Sequence, residues 1–86
     1  GVGSAAYTLK LELEEFSQVF SSPSASQGAM QLRATLLKGA NLAAQRNFSA
    51  QTPAPTADAS GGVRALATAA DEVAQQLSVW VGESMR

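Results

Sequence analysis

"AMQLRATLLKGANLAAQRNFSA", residues 29–50, decides the fold. Residues 29–37 alternate: Met30, Leu32, Ala34 and Leu36 on one side, Gln31, Arg33 and Thr35 on the other. That period of two is the mark of a half-buried strand. "KGAN" is turn-forming, and "LAAQRNFSA" alternates again more weakly. There Leu42, Ala44, Phe48 and Ala50 share a face that also carries Arg46, and Gln45, Asn47 and Ser49 oppose them. Facing residues of a hairpin must point to the same side of the sheet. A two-residue turn at Gly39-Ala40 would set inward Leu36 against outward Ala43. A three-residue loop, Gly39-Ala40-Asn41, pairs Leu36 with Ala44 and Leu32 with Phe48. It is the expected form, with Asn41 in the left-handed position.

Upstream, "YTLKLELE" (7–14) alternates strictly. Tyr7, Leu9, Leu11 and Leu13 form the expected inner face, and Thr8, Lys10, Glu12 and Glu14 the outer one. Phe16 follows Leu13 by three residues, which predicts a bulge near Glu14-Glu15 and a strand that continues through "FSQVF". "SSPSASQG" (21–28) reads as a loop. Downstream, "TPAPTADAS" is a connector. Pro53 and Pro55 cannot donate to a ladder, so the third strand ends there. From Asp58 the period becomes helical, with Val63, Leu66, Ala70, Val73, Leu77 and Trp80 as the expected buried stripe and Ala67, Ala74 and Val81 beside it.

The expected fold class is therefore α+β: a three-stranded antiparallel meander and one long C-terminal helix packed on one face (βββα). Residues 1–6 read as a flexible lead-in and 7–86 as one domain, with strands at about 7–20, 29–38 and 42–51 and a helix at about 58–83. Such a helix is about 39 Å long against about 33 Å for a ten-residue strand, so it should cover the sheet and overhang it. Trp80 is expected to cap one edge of the core with its N–H at the surface.

Composition narrows function. The 86 residues are 45% hydrophobic and 15% charged, enough apolar content for one small domain to bury a core. A net charge of −1 offers no basic face, so no nucleic-acid partner is expected. The chain holds no cysteine and no histidine. That removes disulfides, thiolate metal sites, the commonest general base and all Ser-His or Cys-His arrangements. No apolar run is long enough to cross a bilayer.

Three features invite a chemical reading. "SGG" (60–62) at a helix start could hold an anion. It lacks a following Lys, and Asp58 would repel a negative ligand. Capping by Asp58 or Thr56, with Gly61-Gly62 leaving room for close packing, is the better account. Glu12 and Glu14 share a face, as an acid/base pair would, but that face is solvated, and pairing with Arg33 is expected instead. The serines of 21–27 have no base to activate them. No catalytic, cofactor-binding or metal-binding residue is assigned, no cofactor is expected, and the binding residues are not legible from sequence.

The ordered segments "EEFSQVF" (14–20), "LRATLL" (32–37), "QRNF" (45–48) and "PAPTADASGGVRAL" (53–66) resemble the ABC-type transport auxiliary lipoproteins. These are outer-membrane lipoprotein partners of bacterial mammalian-cell-entry lipid-transport systems. The resemblance covers nearly the whole chain and corresponds to the C-terminal half of that family's domain. It implies a fragment of a larger three-layer α/β unit, and a parent protein in the periplasm, anchored to the outer membrane through a lipid that these residues do not carry. It implies a non-enzymatic accessory role in a lipid or solvent-resistance transport system, docking to the mammalian-cell-entry-type substrate-binding subunit of an ABC transporter and contacting apolar cargo such as lipid. A periplasmic interaction or scaffold domain without cargo is the alternative. A sheet edge that lies against further strands in the parent would also favour self-association as a homo-oligomer.

Overall fold

A computed structural model describes residues 6–85. Three strands, β1 (Tyr7–Ser22), β2 (Ala25–Lys38) and β3 (Asn41–Pro53), are followed by one helix, α1 (Ala59–Ser84). The strands form an antiparallel sheet in the order β1-β2-β3. The α+β, βββα arrangement expected from the periodicities is the observed one. The lead-in expected at 1–6 lies outside the described residues except Ala6, whose carbonyl accepts the Gly39 amide at 2.9 Å.

The strands are longer than the side-chain pattern indicates. The serine-rich stretch at 21–28 is a tight turn at Pro23-Ser24, and β2 starts at Ala25. Small polar residues there continue the backbone ladder, with Phe20 opposite Ser26 and Gln18 opposite Gly28. The expected overhang of the helix is corrected by the same fact. A 14-residue strand spans about 46 Å, beyond the 39 Å or so of α1. The molecule is correspondingly elongated, 57 × 17 × 15 Å.

Parity gives the pairing correctly but not the turn. Leu36 does face Ala44, and Leu32 faces Phe48. The connection, however, is the two-residue turn Gly39-Ala40, with Lys38 opposite Asn41. Gly39 has φ 61° and no non-glycine residue has positive φ among those described, so Asn41 is not left-handed. A glycine with positive φ at the first central position is what a type II′ turn requires. The register is restored by a shift between Leu36 and Leu37, where Ala43 is the extra residue. That bulge turns Leu42 outward, 63% exposed, against the expectation that it shares the inner face. The bulge expected in β1 is present: the register shifts between Leu13 and Glu15, leaving Glu14 as the extra residue.

α1 lies over β2 and β3. Its buried residues are Gly61, Gly62, Ala65, Ala69, Val73 and Trp80. Leu66, Ala70, Leu77 and Val81 are half-buried beside them. The expected stripe is thus rotated: Val63 points to solvent (67% exposed), and Ala67 and Ala74 are exposed. Small residues face the sheet because the backbones nearly touch. A Cβ on Gly28 would lie 2.7 Å from the Leu66 amide nitrogen and 2.8 Å from the Ala65 carbonyl carbon. Buried Thr52 donates its hydroxyl to the Ala65 carbonyl at the same crossing. Larger side chains fill the other end, where Leu36, Phe48, Val73 and Trp80 form the core with Tyr7 and Leu77 packed against it. Full burial of a side chain such as Leu36 or Val73 contributes on the order of 1.5–3 kcal/mol. Trp80, expected as an edge cap, belongs to this core.

β1 is the principal correction. Leu9, Leu11 and Leu13 pair with Leu36, Ala34 and Leu32 and so share the helix-side face. Yet they are 40%, 49% and 58% exposed. The sheet has about 4.8 Å between strands, and a helix is about 10 Å wide. A helix that runs over β2 and β3 leaves β1 to one side. The alternation reports which way these leucines point; it says nothing about whether anything covers them.

Candidate interaction surface

The uncovered face of β1 is built in two segments around one bulge. Before Glu14 the helix-side positions are odd: Leu9, Leu11 and Leu13. After it they are even: Phe16 opposite Met30, Gln18 opposite Gly28, and Phe20 opposite Ser26. The extra residue keeps both segments on one side. Phe16 and Phe20 are 47% and 51% exposed, so five large apolar residues line one strand without cover. Contiguous apolar surface of this kind marks contact sites in folded proteins. It joins the core directly, because Leu13 neighbours buried Leu32 and Leu9 neighbours buried Leu36.

Gln18 interrupts the row for a structural reason. Its side-chain amide donates to Ser26 Oγ at 3.0 Å and to the Asp58 carbonyl at 2.9 Å, tying β1 to the helix entry. A Cβ on Gly62 would collide with this amide, and one on Gly61 would collide with Thr56. The glycine pair "GG" is therefore packed against protein at both positions. Asp58 is the N-cap: its carboxylate accepts the Gly61 amide at 2.8 Å and the Thr56 hydroxyl at 2.6 Å. These two bonds, the Thr56 hydroxyl foremost, hold the Asp58 carboxyl below its ordinary value of 3.8. The expected account of "SGG" as cap and close packing matches this geometry, and the role of Gln18 had no signal in the sequence.

The opposite face of the sheet is mostly polar, with Val19, Leu37 and Leu42 as apolar exceptions. Glu14 Oε2 meets Arg33 Nη2 at 3.1 Å, the expected cross-strand pair. Gln45 donates to Thr35 Oγ1 at 2.9 Å. Glu12 stands directly opposite Arg33 in the ladder, but the ion pair goes to Glu14. Along the β3 edge an open groove runs between strand and helix, lined by Arg46, Ser49, Glu72, Gln76 and Trp80 among others. Arg46 sits on the helix-side face with its guanidinium 5.7 Å from the Phe48 ring centroid, which places a charged group at the rim of the core.

Among the described residues no cluster of three or more His, Cys, Asp or Glu side chains stands where it could hold a metal ion. No helix among them is long and apolar enough to cross a membrane. Comparison with protein-family models, with curated proteins and with solved structures gave no match to this chain.

Proposed function

We propose that this chain is a non-enzymatic accessory component of a bacterial ABC-type lipid-transport system. In that reading it belongs to a periplasmic protein anchored to the outer membrane. It docks to the transporter's mammalian-cell-entry-type substrate-binding subunit and offers apolar cargo a surface. The observation that supports this is the open row Leu9, Leu11, Leu13, Phe16 and Phe20, continuous with the core and left bare by α1. Apolar side chains in a line suit an acyl chain or an apolar partner segment, and they supply no acid, base or nucleophile. The four ordered segments that resemble the auxiliary lipoproteins supply the system in which such a surface works.

The test is made on the full-length protein purified from bacterial envelope. Solvent extraction and mass spectrometry read co-purified phospholipid, and a pull-down reads capture of the purified substrate-binding subunit. The expected result is capture of the subunit and phospholipid that is lost in a Leu11→Thr/Leu13→Thr variant. Capture without lipid leaves a docking module and removes the cargo role. Absence of both overturns the reading.

A further inference from the structure

β1 has a second unpartnered feature, distinct from its side-chain face. It is an edge strand of 16 residues, paired among the described residues with β2 on one side only. Its other side presents a row of backbone donors and acceptors, and proteins rarely leave such a row open on a long apolar strand. The sequence along that edge is close to a palindrome: Leu9-Lys10-Leu11-Glu12-Leu13.

An antiparallel pairing of this segment with itself, about a twofold axis at Leu11, has a specific consequence. Leu11 faces Leu11, Leu9 faces Leu13, and Lys10 faces Glu12, the last two contacts each formed twice. Directly opposed residues lie on the same side of a sheet. All the leucines therefore fall on the helix side and all the charged pairs on the polar side. Displacing either strand by two residues sets Lys10 opposite Lys10 or Glu12 opposite Glu12. Lys10 and Glu12 are both exposed, and neither is in the ion pair that β1 makes with β2, Glu14–Arg33.

We infer that two copies of this chain join along β1 in this register, forming a continuous six-stranded sheet with a helix over each outer pair of strands. The occupant of the edge is a second copy because the charge pattern is complementary to its own reverse. The pairing uses the backbone edge and the polar side, leaving the leucine face open, so it stands apart from the transport reading and is tested without lipid or transporter subunit.

The chain has no cysteine, so single-cysteine variants report the register. Facing Cα atoms in an antiparallel pair lie about 4.5–5.5 Å apart, within the range a disulfide spans. Leu11→Cys is expected to give a covalent dimer on mild oxidation. Leu9→Cys and Leu13→Cys, each alone, are expected to stay uncrosslinked, since like positions are then about 13 Å apart. An equimolar mixture of those two variants gives the Leu9→Cys/Leu13→Cys heterodimer. Exposed positions tolerate these changes, and a melt of each variant confirms folding. In parallel, Lys10→Glu is expected to weaken association about tenfold in sedimentation equilibrium, because both attractive contacts become repulsive. Lys10 stands opposite uncharged Thr35 within its own chain, so the fold is spared. The inference is overturned by a monomer at about 1 mM, or by Leu9→Cys crosslinking as readily as Leu11→Cys. A dimer indifferent to Lys10→Glu and to the cysteine positions likewise places the contact elsewhere.

Discussion

The ring of Phe48 on β3 meets the ring of Trp80 on α1 edge to face, with centroids 5.5 Å apart and planes at 69°. This pair closes the wide end of the core, where the helix stands on large side chains. Truncation of Phe48, 4% exposed, to Ala is expected to cost roughly 3–5 kcal/mol in urea unfolding. A double-mutant cycle with Trp80→Ala should show coupling of about 0.5–1.5 kcal/mol beyond the separate losses. A cost near zero for Phe48→Ala would contradict its place in the core.

The narrow end makes the opposite demand. Gly28→Ala places a methyl against helix backbone that cannot yield without shifting α1, so a loss of about 1–3 kcal/mol is expected. Gly82→Ala meets open space within the helix and should stabilise by about 0.5–1 kcal/mol. Paired chemical melts of the two variants test the difference in sign.

Asp58 makes folding sensitive to acid. Its folded carboxyl titrates below the unfolded value, so the stabilisation is present above the unfolded value of 3.8 and is lost as pH falls through the lower folded value. Asp58→Asn keeps a capping side chain without the charge. The melting temperature of the unmodified chain is expected to exceed that of Asp58→Asn at neutral pH. The gap should close below about pH 4. A gap that widens in acid would contradict the bonding described for this cap.

The leucines of β1 and β2 should behave as different residues. Leu36→Ala removes a side chain 1% exposed and is expected to cost about 2–5 kcal/mol. Leu13→Thr, at a position 58% exposed, should change stability by no more than about 0.5 kcal/mol. Equal costs at both positions would mean that β1 is covered.

Periodicity made much of this architecture legible. Parity alone paired Leu32 with Phe48 and Leu36 with Ala44, because a register slip of one residue would turn every inner side chain outward. The phase break between Leu13 and Phe16 located the β1 bulge. Beyond the Gly39-Ala40 turn and the outward Leu42, other features escaped. Ser21 to Gln27 carry no apolar pattern, yet the backbone pairs there without one. Val63 matches the helical period as well as Gly62 does, and only the closeness of the crossing selects the smaller residue. The candidate surface was the least visible of all, since Leu9, Leu11 and Leu13 alternate in the same way whether or not a helix lies above them.

The single supernumerary residue at Glu14 acts as a phase switch. A strand forced to run straight with Glu14 kept in the ladder would send Phe16 and Phe20 to the wet side and bring Ser17 and Val19 beneath the helix entry, whereas excising Glu14 would leave Phe16 two residues after Leu13 and the row intact. The bulge thus sets whether the strand carries one long hydrophobic ridge or two short ones back to back.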